Sequence, residues 1–261
     1  MVQAPEETSL APLTRRLLGW EIVIVFALSL GASALFAVID LIGSLTAGKA
    51  LNKQQALLIG TLAQGRPLLD LVLQLANILV GLAPVALVIY LLLREGETPS
   101  SAMGLDAREP ARDLARGAVL AALIGGSGLA LYLAAYKLGL ALNVVPENLP
   151  PAWWRIPVLV LQAAHDGILE EILVLGYLLR RLDQLGFSPA AAIVTSALVR
   201  GSYHLYQGFG GFLGNAVMGV IFALLYRRWR RVTPFIITHT LIDTGAFVGY
   251  AVLHGHVSWL P

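Results

Sequence analysis

The chain alternates long apolar runs with short polar segments, and most of the runs are close to the length of a membrane-crossing helix. A helix needs about 20 predominantly apolar residues to cross the hydrocarbon core of a bilayer. Seven runs approach that length, at residues 19–43, 68–93, 117–136, 156–179, 189–205, 209–226 and 232–253. Residues 50–63 are only weakly apolar and are interpreted as an interfacial helix or a half-span. The pattern predicts an all-α, polytopic transmembrane helix bundle with about seven to eight spans.

Composition places the chain among integral membrane proteins. Apolar residues make up 57% of the chain and charged residues 13%, whereas a soluble domain has about 25% charged residues. The net charge of +2 is too small to indicate a nucleic-acid partner, so the expected surroundings are the lipid bilayer. The sequence has no cysteine, which excludes disulfides, thiolate metal ligands and a cysteine nucleophile.

The basic residues predict the orientation in the membrane, because cytoplasmic segments carry an excess of Lys and Arg. With a cytoplasmic N-terminus, twelve of the 18 basic residues lie in cytoplasmic segments and five in outside segments. The last one, Arg200, lies within a predicted span. The low share of lysine and the richness in alanine, glycine and leucine are typical of a high-GC bacterial genome. They favour a bacterial plasma membrane.

A polar, basic loop at residues 94–116 divides the chain into two unequal parts. We expect residues 1–102 to form N-terminal membrane spans, residues 103–253 to form a core, and residues 254–261 to form a C-terminal tail. All three parts would belong to one integrated membrane domain. Nearly all the ionisable residues that are predicted to be buried follow the loop.

Three predicted spans carry ionisable side chains in otherwise apolar surroundings. They contain HDGILEE at residues 165–171, RGSYH at residues 200–204 and HTLID at residues 239–243. A charged side chain at the centre of a membrane helix costs about 2.5–3.5 kcal/mol on insertion scales, so such residues need partners and mark functional sites. The three segments therefore predict a shared functional cluster, although interhelical salt bridges with a purely structural role are the alternative.

Spacing indicates which of these side chains share a helix face. Residues four apart lie on one face, which pairs Asp166 with Glu170, Arg200 with His204, and His239 with Asp243. Glu171 is turned by about 100° from its neighbour Glu170. One glutamate can therefore face a cavity while the other pairs with a group beside it.

Together the segments resemble the motifs of the CAAX prenyl protease and bacteriocin-processing (CPBP, or Abi) family of intramembrane endopeptidases. That family has Glu-Glu-x-x-x-Arg, then Phe-x-x-x-His, then His-x-x-x-Asn or Asp. The corresponding stretches here are EEILVL at residues 170–175, RGSYH and HTLID, in the same order. Two positions depart from the family pattern, because Leu175 replaces the motif Arg and Arg200 replaces the motif Phe. We hypothesise that Arg200 supplies the missing counter-charge by pairing with Glu171 or Asp166.

The resemblance implies a catalytic set of Glu170, His204, His239 and Asp243. Glu170 would activate water with the help of His204, while His239 and Asp243 would face the scissile carbonyl. With Asp in place of Asn, the last motif residue could donate to an oxyanion only if protonated, or it could instead orient His239. Supporting roles are expected for Glu171, Arg200, Asp166 and His165. Tyr203 is a candidate for the substrate entrance or for an aromatic residue at the membrane interface.

Metal dependence and function each leave alternatives open. His204, His239 and a carboxylate would suffice for a zinc site, but the chain has no His-Glu-x-x-His helix, so no cofactor is favoured. The expected partner is a membrane-associated peptide or protein substrate. The alternatives to a protease are a catalytically silent binding or immunity protein on the same fold and, less favoured, a proton-coupled transporter.

Overall fold

The computed structural model describes residues 14–257. The first 13 residues of the N-terminal segment and residues 258–261 of the expected tail lie outside the described residues. The described part is mostly helical. Its α-helices are α1 (Arg15–Ala27), α2 (Leu30–Thr46), α3 (Pro67–Gly81), α4 (Ala83–Arg94), α5 (Pro99–Met103), α6 (Pro110–Lys137), α7 (Arg155–Glu171), α8 (Leu179–Gln184), α9 (Pro189–Ser202), α10 (Phe209–Trp229) and α11 (Thr233–Leu253).

Four helical segments of the described chain are long and apolar enough to cross a membrane. They are α3 together with α4, then α6, α10 and α11, and the bent pair α1–α2 adds a fifth candidate. The chain is accordingly an integral membrane protein. Helices α1 and α2 meet at 57°, where a single span is predicted from the sequence. At this break the Ser29 hydroxyl donates to the Val25 carbonyl oxygen at 2.6 Å, and such local bonds compete with the helical ladder and bend helices.

Two short parallel strands make the fold mostly helical rather than all-α. Strand β1 (Gln55–Ile59) pairs with strand β2 (Asn143–Glu147), with Ala56 opposite Val144. The prediction of an interfacial helix or half-span at residues 50–63 is therefore wrong. This segment satisfies its backbone groups through a strand far along the chain, which the apolar pattern of one segment does not reveal.

One continuous helical segment carries the HDGILEE stretch. Helix α7 passes directly into a π-helical segment (Ile172–Leu178), which continues into α8. The π-helical segment begins directly after Glu171, and such turns are frequent at functional sites. Gly167 allows α7 to pack closely on α11, because a Cβ at this position would lie 2.7 Å from the Thr240 hydroxyl oxygen.

Helix α9 is shorter than the span predicted at residues 189–205, because it ends at Ser202. His204 follows in a turn before a short 3-10 helix, Leu205–Gln207. The prediction that Arg200 and His204 share one helix face is therefore wrong. The chain turns here towards α10, so His204 reaches the centre of the protein from a loop while Arg200 reaches it from a helix.

Ion pairs connect the N-terminal ends of helices α6 and α11. Arg231, two residues before α11, contacts Asp113 of α6 at 2.5 Å and Asp106 at 2.9 Å. Hydrogen bonds from Arg108 and from Ser100 hold the pKa of Asp106 well below its usual range. These contacts fix where α6 and α11 begin relative to each other. They thereby fix the position of His239 along the axis of the bundle.

Candidate active site

A cavity of about 1160 Å³ collects the ionisable residues of the three motif segments. Its wall comes mainly from α6, α7, α10, α11 and the turn after α9, and much of it is apolar. Three carboxylates and three histidines line it, namely Asp166, Glu170, Asp243, His165, His204 and His239. Within residues 14–257, no Lys or Arg lines this cavity. The other two predicted site residues, Glu171 and Arg200, are buried beside it.

The adjacent carboxylates of Glu170 and Glu171 have different surroundings, in agreement with their predicted separation around the helix. Glu170 lines the cavity, and its Oε2 atom accepts a hydrogen bond from the Tyr203 hydroxyl at 2.7 Å. No described residue donates to Glu170 Oε1. Glu171 is fully buried and is paired with Arg200 and His239. Glu170 is therefore the carboxylate with an oxygen available to the cavity.

Arg200 is fully buried and provides the counter-charge of Glu171. Its Nη2 atom lies 2.5 Å from Glu171 Oε1, and its Nη1 atom lies 3.5 Å from Glu170 Oε2. Of the two partners expected from the sequence, Glu171 and Asp166, the structure has Glu171. Leu175, at the motif position of the family's Arg, belongs to the buried apolar core. The cationic group of this site comes from α9 and not from the helix that carries the glutamates.

Both ring nitrogens of His239 face carboxylates. Nδ1 lies 2.7 Å from Glu171 Oε1, and Nε2 lies 3.2 Å from Oδ2 of Asp243, one turn further along α11. A neutral imidazole donates from only one of its nitrogens. The two contacts therefore require either a doubly protonated ring or a protonated carboxyl group. In both cases the ring is fixed from two sides.

His204 and His165 each have one ring nitrogen without a hydrogen-bond partner among the described residues, and that of His204 is oriented towards Glu170. The Nε2 atom of His204 lies 3.8 Å from Glu170 Oε2 and has no hydrogen-bond partner in the described part of the chain. The ring packs against Tyr203, with ring centroids 4.7 Å apart. His204 therefore places a buried and unpaired ring nitrogen next to Glu170.

His165 and Asp166 form a separate pair on the cavity wall. The Nδ1 atom of His165 lies 2.8 Å from Asp166 Oδ1, and the Gln162 amide donates to the same oxygen at 3.0 Å. Among the residues that the structure describes, no hydrogen bond joins either of them to Glu170. The structure thus brings both to the cavity but not to the Glu170 carboxylate.

Tyr203 is the residue that sequence reasoning missed. Its side chain is 4% exposed, so it is neither an interface residue nor a loose entrance residue. Its only signal in the sequence is its position next to His204 in RGSYH. The carboxylate that it contacts lies 33 residues earlier, so only the folded structure reveals the pairing.

Possible ligand atoms of the cluster are close enough for a metal ion, but an arginine side chain contacts the same carboxylates. Ligand atoms of Glu170, Glu171 and His239 lie within 4.8 Å of one another. The Arg200 guanidinium contacts Glu171 and approaches Glu170, so a divalent cation would meet a buried positive charge at short range. His204, the other expected zinc ligand, is not part of this group. The residues present therefore do not fit a zinc ion in this arrangement.

Fold and site together define a helical membrane protein with a buried Glu–His–Arg cluster beside an internal cavity. Residues 151–245 match the family described as Rce1-like, type II CAAX prenyl endopeptidase. Over these residues the chain is thus similar to the Rce1-like endopeptidases, in agreement with the resemblance of its motifs. All eight predicted site residues, from His165 to Asp243, lie within the match. Comparisons with curated proteins and with solved structures gave no match.

Proposed function

We propose that this protein is an intramembrane endopeptidase, resembling CAAX prenyl proteases, that cleaves a membrane-associated peptide or protein with activated water. The observation that carries the proposal is the environment of Glu170. Its Oε2 atom is bound by Tyr203, whereas its Oε1 atom has no donor among the described residues and adjoins the cavity. A carboxylate arranged in this way can bind a water molecule and remove its proton.

In the proposed reaction, a water molecule lies between Glu170 and His204. Glu170 takes a proton from the water as its oxygen attacks the scissile carbonyl carbon. The resulting tetrahedral oxyanion accepts a hydrogen bond from His204 Nε2, which has no hydrogen-bond partner among the described residues. The proton on Glu170 then passes to the leaving nitrogen as the carbon–nitrogen bond breaks. The products are a carboxylic acid and an amine, and the carboxylate is regenerated.

His239 acts on the oxyanion by its charge in this proposal, because Glu171 and Asp243 occupy both of its ring nitrogens. Asp243 orients the ring and does not itself donate to the substrate. Glu171 and Arg200 form the buried pair that holds the ring from the other side. Fixed dipoles and charges of this kind stabilise a transition state without reorganisation.

The membrane arrangement that we propose has seven spans, the lower of the two numbers predicted from the sequence. Besides the four candidates and the bent pair α1–α2 counted as one span, the continuous helix Arg155–Gln184 and helix α9 would cross the bilayer. Their polar site residues and the shortness of α9 explain why length and apolar composition do not single them out. The N-terminus would be cytoplasmic in a bacterial plasma membrane. Ion pairs such as Arg181 with Glu95 support this, because they join segments assigned to one side.

Cleavage of a membrane-peptide library by purified protein in detergent tests the proposal. Wild type is compared with Glu170→Gln, each with and without a zinc chelator. We expect cleavage by wild type that the chelator leaves unchanged and that Glu170→Gln abolishes. Cleavage lost with chelator would overturn the metal-free mechanism. If wild type cleaves no peptide, or if Glu170→Gln cleaves as well as wild type, the proposed function is wrong. A catalytically silent binding protein would then be favoured.

A further inference from the structure

We infer that Tyr203 is a positioning residue, whose hydroxyl group orients the Glu170 carboxylate so that one oxygen faces the cavity. This inference rests on the proposed function, because it assigns a role in preparing the general base. It does not follow from the three motifs, since Tyr203 occupies one of their unspecified positions. It follows from the short hydrogen bond between Tyr203 and Glu170 and from the longer distances between Glu170 and its other polar neighbours.

The hydrogen bond is the shortest polar contact that Glu170 makes. The Tyr203 hydroxyl lies 2.7 Å from Glu170 Oε2, whereas Arg200 Nη1 lies 3.5 Å from the same oxygen. His204 and His239 lie 3.8 and 4.0 Å from it, beyond hydrogen-bond distance. Arg200 is committed to Glu171 at 2.5 Å. Tyr203 is therefore the main donor that fixes this carboxylate.

A glutamate carboxylate needs such a donor because its terminal torsion is soft. The last torsion of a Glu side chain is broad and roughly two-fold, so its two oxygens exchange places easily. A donor on Oε2 restricts that rotation and leaves Oε1 directed to the cavity. Without it, the base would hold its water in several orientations, and misplacement of a reacting group lowers turnover strongly.

Tyr203→Phe isolates the hydroxyl group, because it keeps the ring that packs against His204. The chain offers a matched control in Tyr177. This tyrosine is also buried, its hydroxyl donates to the Glu21 carboxylate at 3.0 Å, and neither residue lines the cavity. Tyr177→Phe thus removes the same kind of hydrogen bond from a carboxylate outside the site.

The experiment measures kcat and KM of both variants on a peptide whose cleavage depends on Glu170, together with thermal unfolding in detergent. A hydrogen bond to a charged group corresponds to a change of about tenfold to a hundredfold. We expect Tyr203→Phe to lower kcat by that factor with KM unchanged, and Tyr177→Phe to leave both constants unchanged. We expect similar unfolding temperatures for the two variants. If the Tyr203 hydroxyl only stabilised the fold, Tyr203→Phe would not lower kcat at an unchanged KM while Tyr177→Phe left both constants unchanged.

An unchanged kcat in Tyr203→Phe, with Glu170→Gln inactive, would overturn the inference and leave the proposed function standing. An equal fall of kcat in both variants would also overturn it, because the effect would then come from the bundle as a whole. If wild type cleaves nothing, the proposed function fails. A double-mutant cycle of Tyr203→Phe and Glu170→Ala in thermal unfolding then decides the contact itself, because alanine removes the acceptor, and additive effects would show that the hydroxyl does not hold the carboxylate.

Discussion

Two buried arginines organise similar clusters in this bundle, but only one of the clusters adjoins a cavity. The basic-end cluster consists of Arg181, Glu21, Glu95 and Tyr177. Arg181 contacts Glu21 at 2.7 Å and Glu95 at 2.6 Å, and a second nitrogen donates to the other oxygen of Glu95 at 2.8 Å. The Tyr177 hydroxyl donates to Glu21. The carboxylate oxygens of Glu21 and Glu95 are paired with cationic side chains, so this cluster serves to connect helices.

The cavity cluster also contains one arginine, two glutamates and one tyrosine, but the hydrogen bonds among them are arranged differently. It consists of Arg200, Glu170, Glu171 and Tyr203, joined by His239. Arg200 is committed mainly to Glu171, and Tyr203 donates to Glu170 Oε2. Among the described residues, Glu170 Oε1 and the buried Glu171 Oε2 have no donor, and of these two glutamates only Glu170 lines the cavity. Two buried Arg–Glu–Tyr clusters in one protein thus show that burial and pairing alone do not indicate chemistry. The informative feature is an unpaired carboxylate oxygen at a cavity.

We expect the largest difference in peptide cleavage between the two clusters when one glutamate of each is replaced by glutamine. Glu170→Gln removes the proposed general base, and loss of general base catalysis lowers rates by about 10²–10⁴-fold. Glu95→Gln removes a carboxylate of the basic-end cluster and leaves the cavity intact. We therefore expect loss of peptide cleavage in Glu170→Gln and an unchanged kcat in Glu95→Gln, measured on the same peptide. Equal kcat values in the two variants would abolish the distinction.

Arg200→Leu tests whether the relocated cation is needed. Breaking a buried ion pair by removing one partner costs about 3–5 kcal/mol, because Glu171 would be left buried without a counter-charge. We expect a large loss of stability in detergent and loss of cleavage. Leu175→Arg in the same chain restores a cation at the family's motif position, and partial recovery of stability and cleavage is expected. A double variant no better than Arg200→Leu would refute the relocation.

Arg181→Leu is the matched change in the basic-end cluster. It leaves Glu21 and Glu95 without their shared cation, and a stability loss similar to that of Arg200→Leu is expected for the same reason. The cavity residues are untouched, so kcat per folded molecule should equal that of wild type. Thermal unfolding and kcat measured below the unfolding temperature check both parts. A large fall in kcat would mean that the two clusters are energetically coupled.

Asp243→Asn should give the smallest effect. An amide oxygen can still accept the hydrogen bond from His239 Nε2, which lies 3.2 Å from the carboxylate, and the resembled family has Asn or Asp at this position. We expect cleavage to be reduced only modestly. Asp243→Leu, which removes the acceptor, should reduce it further. If the order of the two variants is reversed, Asp243 does not act as the acceptor for His239.

Much of the site could be predicted because membrane burial makes ionisable residues conspicuous. The energetic cost of burying Glu170, Glu171 and His239 in apolar helices is enough to indicate that they share a cluster. The resemblance to the CPBP motifs added the expected roles, and the match of residues 151–245 agrees with it. The hypothesis that Arg200 pairs with Glu171 or Asp166 rested on the two departures from the family motifs, and the contact with Glu171 is present.

What the sequence by itself determined is the membrane location, the mostly helical fold and the charged and histidine members of the buried cluster. These depend on composition and on local periodicity, which act within one segment. Only the tertiary structure decided that β1 pairs with β2, that His204 lies in a turn, and that the Tyr203 hydroxyl reaches Glu170. Each of these depends on a contact between segments that are far apart in the chain. Local patterns contain no information on such distances, because packing of the whole bundle sets them.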